Sequence, residues 1–217
     1  MIFFSILFVY NANSQDNNTK SKYLFQKANI SVSGFASGFA EFSSIQGDFA
    51  LSAGGEAAFI FGNAFYIGGY GLGLTTRHFK EGLDTIVNIN NPVISFNHAG
   101  FWLGYLYKAN NIFHPGLSTK IGWGSIALFD RNSDPDFNAD KANDRVMVIT
   151  PQIELDINLT NWLKINIGAG YRFVTGIDKS YRFENSTVAN KYYDSKDFDS
   201  PIGTITIIIG SFGKKTD

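Results

Sequence analysis

The clearest hydrophobic pattern in the chain lies between Val146 and Val174. Met147, Ile149, Ile153, Leu155, Ile157 and Leu159 alternate with Thr150, Gln152, Glu154, Asp156 and Asn158. After the joint Leu159-Thr160-Asn161-Trp162, a second run sets Leu163, Ile165, Ile167, Ala169, Tyr171 and Phe173 against Lys164, Asn166, Gly168, Gly170 and Arg172. Period-two alternation predicts strands with one apolar and one polar face. The short joint predicts a hairpin turn, and each arm has the length of a strand crossing a bilayer at a tilt.

The same reading extends along the chain. A first strand is expected over 30–36, broken by Gly34 and Gly38, with a polar connection over 41–47. The second strand, 48–61, sets Phe49, Leu51, Ala53, Ala57, Phe59 and Phe61 against Asp48, Ser52, Gly54 and Glu56. Gly62-Asn63-Ala64 is a tight turn. The third strand, 65–77, places Tyr66, Tyr70, Leu72 and Leu74 opposite Gly69, Gly71, Gly73, Thr75 and Arg77. Further strands are expected over 93–107, 116–129 and 202–212, with polar connections over 78–92, 130–144 and 176–200.

These segments make about eight strands whose connections alternate long and short. Such a rhythm predicts an all-β fold, an antiparallel up-and-down transmembrane β-barrel with short periplasmic turns and longer external loops. The apolar faces are then expected to meet lipid, and the glycine and charged faces to fill a narrow lumen. Phe59, Phe61, Tyr66, Tyr105, Tyr107 and Trp162 near the short turns, and Phe49, Phe129, Tyr171 and Phe173 near the long loops, would form interfacial girdles. Pro151 cannot donate to a ladder, so a bulge is expected there.

Composition narrows the function classes. The 217 residues include no cysteine, which excludes disulfides, thiolate metal sites and cysteine nucleophiles. A net charge of −1 gives no basic footprint for nucleic acid. No run of about 18 apolar residues is present to form a membrane helix. The apolar run 2–10, followed by small polar residues, predicts a signal peptide over 1–14. A polar lead-in over 15–29, a barrel over 30–213 and a tail over 214–217 complete the expected organisation.

The segment Phe42-Ser43-Ser44-Ile45-Gln46-Gly47-Asp48-Phe49-Ala50-Leu51 resembles one found in small outer-membrane β-barrel proteins of Gram-negative bacteria. So do the pairs Gly54-Gly55 and Gly68-Gly69 with Tyr70-Gly71, and the last strand ending at Phe212. The resemblance covers roughly 30–213 and its motifs are architectural, so it implies fold and an outer-membrane location rather than an activity. Such barrels often end on the aromatic itself, whereas here Gly213 to Asp217 follow.

Candidate chemistry is sparse. Glu56, Arg77, Lys120, Glu154, Asp156, Lys164 and Arg172, together with Asp48, fall on the face assigned to the lumen, where they would form a charge-balanced plug; Glu154 and Lys164 are the expected pair across one hairpin. A proton or small-ion path is the functional alternative for the same residues. His78 and His98 are candidate rim residues for lipid chemistry, with Ser95 or Asp84 as partners. His114, before Pro115, is read as a structural turn residue. Asp134, Asp136, Asn138 and Asp140 have the spacing of a calcium loop, but Ala139 and Arg145 stand where its glycine and distal glutamate belong. Tyr181, Phe183, Tyr192 and Tyr193 mix with charge in the last long loop, a composition suited to ligand or partner contact. No cofactor and no metal is expected. The expected partners are outer-membrane lipid, lipopolysaccharide and a surface ligand or protein at the external loops. The expected role is structural, adhesive or surface-binding without catalysis; the alternatives are a small channel or carrier for hydrophobic compounds, entering through the glycine-rich wall of strands two to five, and a rim enzyme on lipid.

Overall fold

The computed structural model describes residues 31–78, 92–130, 143–178, 180–182, 189–191 and 193–212. The expected signal peptide, lead-in and tail, the calcium-like segment, Asp84, Phe183 and Tyr192 lie outside them.

Eight antiparallel strands close into a barrel in the order β1-β10-β7-β6-β5-β4-β3-β2. The strands are β1 (Val32–Ile45), β2 (Asp48–Phe61), β3 (Phe65–Leu74), β4 (Pro92–Leu106), β5 (Phe113–Asp130), β6 (Asp144–Asn158), β7 (Leu163–Thr175) and β10 (Ser200–Gly210). Between β7 and β10, Ser180–Arg182 (β8) and Ala189–Lys191 (β9) form a small separate hairpin, followed by a 3-10 turn at Ser195–Asp197. Pairing leads from Val32 through Phe61, Phe65, Tyr105, Leu117, Ile153, Ala169 and Gly203 to Phe42. One circuit therefore returns to β1 ten residues further on, a stagger that closure of tilted strands requires.

Alternation along each strand builds the two surfaces. Phe59, Ile67, Phe101, Leu117, Trp123, Ile153, Ile167, Phe173 and Ile207 are exposed on the outside. That apolar exterior has no counterpart in a water-soluble barrel, whose exposed apolar patches stay small. The exposed aromatics Phe61, Phe65, Tyr105, Tyr107 and Trp162 sit toward the short turns, and Phe49, Tyr171 and Phe173 toward the other end.

Several expectations are corrected. The first connection is not long: β1 runs on to Ile45 and turns through Gln46 (φ 55°) and Gly47 (φ 88°). Both residues take the positive φ that a two-residue hairpin turn demands. Gly34 and Gly38 do not break β1, because its neighbours hold the ladder; Gly38 pairs with both Gly55 and Ile207. The faces of β3 are the reverse of the expected ones. Tyr66, Tyr70 and Leu72 point into the barrel, while Phe65 and Ile67 face out. Glycines opposite make this possible: a Cβ on Gly104 would fall on the Tyr66 ring, and one on Gly122 on the Tyr70 hydroxyl. Tyr66 is therefore a lumen residue and not part of a girdle. Pro151 produces no bulge. The β6–β7 pairs stop after Ile149↔Phe173 and resume at Gln152↔Gly170, three residues on in each strand, so the register is kept across a gap in the ladder.

Candidate functional site

The lumen is filled in layers. At the end bearing the long connections, Ile45, Ile94, Phe96, Ile126, Leu128, Val148 and Val174 form an apolar layer, joined by Tyr193 and Phe198 from the β7–β10 connection. At the end bearing the termini of the barrel, Phe35, Ile60, Tyr66, Trp102, Leu106 and Ile208 form a second. The interior is thus not only glycine and charge, as alternation alone led one to expect.

Three polar groupings lie within this frame. The first is centred on Arg172, which is fully buried. Its Nη1 donates to Glu41 Oε1 at 2.9 Å and to Ser43 Oγ at 3.2 Å, its Nη2 to the Ser44 carbonyl at 3.2 Å, and its Nε to the Phe198 carbonyl at 3.0 Å. One guanidinium therefore ties β7 to β1 across β10 and fastens the inserted segment 193–199 on the way. That segment is held twice more: the Gln46 amide donates to the Asp197 carbonyl at 2.7 Å, and the Val174 amide to Asp199 Oδ1 at 2.7 Å.

The second grouping surrounds Lys120. Its ammonium lies 2.8 Å from Glu56 Oε2 and 3.7 Å from the centre of the Phe39 ring, with Tyr70 and Trp102 at 5.6 and 5.5 Å. Aromatic faces and one carboxylate thus replace water around a buried cation. Glu56 also accepts from Ser37 Oγ at 3.1 Å.

The third lies toward the termini. Glu154 accepts from Tyr66 Oη at 3.1 Å, from Ser118 Oγ, and from Asn166 Nδ2 at 3.4 Å. Asp156 stands opposite His114, with 3.9 Å between its Oδ2 and Nε2. Lys164 faces Asn158 across the hairpin, and its Nζ sits 4.0 Å from the Phe212 ring centre. The expected Glu154–Lys164 pair does not form, because the register sets Gly168 beside Glu154.

The structure thus places Glu56, Lys120, Glu154, Asp156, Lys164 and Arg172 inside the barrel, as three separate groupings rather than one network. Arg77 is not among them: it lies exposed beyond the end of β3. Asp48 is likewise exposed at its turn. His98 is not a rim residue. It is buried in the lumen, shares a 2.9 Å hydrogen bond with Tyr70 Oη, and is on the opposite face of β4 from Ser95. His78 does lie beyond β3; its Nε2 shares a 2.9 Å hydrogen bond with Thr76 Oγ1. Burial holds the His78 imidazole below its ordinary pKa, against an opposing effect of Asp48. His114 lies in β5 rather than in a turn, and is fully buried. Tyr193 is turned inward, packing edge-to-face on Phe198 at 5.5 Å. Among the described residues no group of three metal-ligating side chains occurs.

Four contributors differ from what alternation predicts. Glu41 lies in a strand where a polar connection is expected, although Phe35, Phe39 and Glu41 share one parity and mark a continuing strand. Tyr66 and Tyr70 face the lumen where lipid is expected. Phe198 was hidden in a polar stretch, where an isolated aromatic between aspartates was the available signal.

At the outer rim, a groove of about 530 Å³ opens beside Trp123, Ser125, Asn143, Arg145, Met147 and Thr175. It combines an exposed indole with an exposed guanidinium.

No protein-family model and no curated protein matches the sequence. Among solved structures, the chain is similar to Neisserial surface protein A, with a TM-score of 0.54 and 8% identity over 86% of this chain and 100% of that one. It is also similar to Ail, the attachment invasion locus protein of Yersinia pestis, with a TM-score of 0.43 and 12% identity over 83% and 97%. For OprG from Pseudomonas aeruginosa the TM-score is 0.40, with 13% identity over 82% and 93%. Closed eight-stranded topology and an apolar exterior together make the chain a membrane-spanning β-barrel of the outer-membrane type.

Proposed function

We propose that the barrel is a sealed, non-catalytic scaffold that presents its external connections for surface binding or adhesion. The observation that carries this reading is the inserted segment 193–199, which closes the outer mouth with Tyr193 and Phe198 and is locked by Arg172 to two strands. A lumen so filled leaves the loops as the part that varies in contact with the surroundings. The likeness to a Neisserial surface protein supports the barrel fold from which this reading starts. Lipopolysaccharide fits the rim groove, with phosphate at Arg145 and acyl chain against Trp123 and Met147.

The test displays the full chain on a non-adherent Gram-negative host and counts cells retained on epithelial monolayers, alongside planar-bilayer recording of purified protein. Increased retention with electrical silence is expected. Steady conductance without added retention would overturn the reading.

A second reading, a carrier for hydrophobic compounds, is favoured by the ladder gap beside Pro151. The wall of β2 to β5, where lateral entry was expected, is instead continuously paired. Faster uptake of an alkane by cells displaying the chain would support it, and uptake equal to that of empty cells would end it.

A further inference from the structure

The lipid-facing wall carries a broad concavity away from the loops. About 530 Å³ in volume, it is lined by Tyr105, Tyr107, Leu117, Ile153, Leu155 and Ile167. That size lies within the range of small-molecule pockets, about 300–1,000 Å³. Its shape follows from the register. Glu154 and its register partners Gly116 and Gly168 belong to the lumen face and present only backbone outward, and Ala169, beside Ile153, offers only a methyl group. Backbone therefore forms the floor there, while large side chains stand around it.

Position and charge identify the occupant. The groove spans the end of β4, the start of β5, the later half of β6 and the first half of β7, so it lies in the half of the barrel that bears the short turns. In an outer-membrane barrel that end faces the periplasm. Next to the lining residue Tyr107, Lys108 is exposed, held at φ 52°, with Nζ 5.1 Å from the centre of the Tyr107 ring. An apolar groove with a cation beside it at the membrane surface matches an acyl chain ending on a phosphate.

We propose that this groove binds one glycerophospholipid of the periplasmic leaflet, an acyl chain lying along Ile153 and Leu155 and the phosphate meeting Lys108. The site is independent of what the external loops bind. Lipid A, which also carries phosphate and acyl chains, is the competing occupant that the test separates.

The full barrel, purified in detergent and stripped of lipid, is titrated with palmitoyl-oleoyl phosphatidylglycerol or with lipid A and followed by native mass spectrometry. One phosphatidylglycerol should remain bound under activation that removes all others. Ala169→Trp fills the groove from the lipid side and should abolish that adduct. Ala53→Trp, on the lipid face of β2, should retain it. Lys108→Gln keeps the groove and should weaken binding about fivefold, the contribution of one lysine near a membrane surface. Equal adducts in the Ala169→Trp and Ala53→Trp proteins, unchanged binding in Lys108→Gln, or preference for lipid A would each overturn the proposal. Heat-modifiable migration of every variant confirms that the barrel is folded.

Discussion

The two ends of the lumen are closed by different means. Toward the termini, the strands seal the barrel with their own side chains: Tyr66, Trp102, Leu106 and Ile208 meet across it, and Glu154 is satisfied by neutral donors. Toward the loops, the seal is borrowed. Tyr193 and Phe198 come from a connection and complete a layer of strand residues, held there by a buried guanidinium and by the Gln46 and Val174 amides. A closure made of strand residues is inseparable from the wall. One made of a connecting segment depends on a few fastenings and is open to change without loss of the barrel.

Breaking the borrowed end should have the largest effect. Arg172→Leu leaves Glu41 buried without its cation, at a cost of about 3–5 kcal/mol. Thermal unfolding in micelles should register the loss, and limited proteolysis should now cut within 193–199. Pairing Arg172→Met with Glu41→Gln should cost less than Arg172→Met alone. If the double substitution is no better, the ion pair is not what holds the plug.

A smaller effect is expected at the other end. Gly104→Ala drives a methyl group into the Tyr66 ring, and overpacking of this kind costs about 1–3 kcal/mol. Unfolding temperature should fall while protection of 193–199 is unchanged. Loss of that protection would show that the ends are coupled.

The smallest effect concerns acid. Burial lowers the folded-state pKa of His78, so the unfolded chain takes up the proton first as pH falls. Any stability from this residue is present above the ordinary imidazole value, about 6.5, and is lost as pH drops from there through the folded value. His78→Gln should flatten the pH dependence below about 6.5. An unchanged slope would assign it to other groups.

How much of this was legible depended on what each segment had to pack against. β6 and β7 announced both faces, because lipid and a polar interior impose opposite demands on neighbouring residues. β3 misled, because an aromatic on an alternating strand reads as lipid-facing, whereas Tyr66 and Tyr70 occupy space vacated by Gly104 and Gly122. That vacancy is a property of two strands in register and cannot be seen in one. β1 misled for the opposite reason: its glycines look like breakers until neighbours on both sides hold them in a ladder. Charges were located on the right strands more often than they were paired. Alternation gives a side chain's direction, but the Glu154–Lys164 pairing failed on register, and Arg172 found its partner 131 residues away.

That last separation bears on how the molecule is assembled. β1 and β10 are the ends of the barrel chain, and their union closes the longest loop, the contact with the greatest entropic cost. Arg172 reaches over this seam, from β7 past β10 to Glu41, Ser43 and Ser44. Its hydrogen bonds to β1 can form only after the first and last strands have met, and the segment around Phe198 is tied to β1 only on a completed ring. The guanidinium acts as a clasp fastened after the hoop is joined, so closure of the wall and seating of the plug are successive steps, the second conditional on the first.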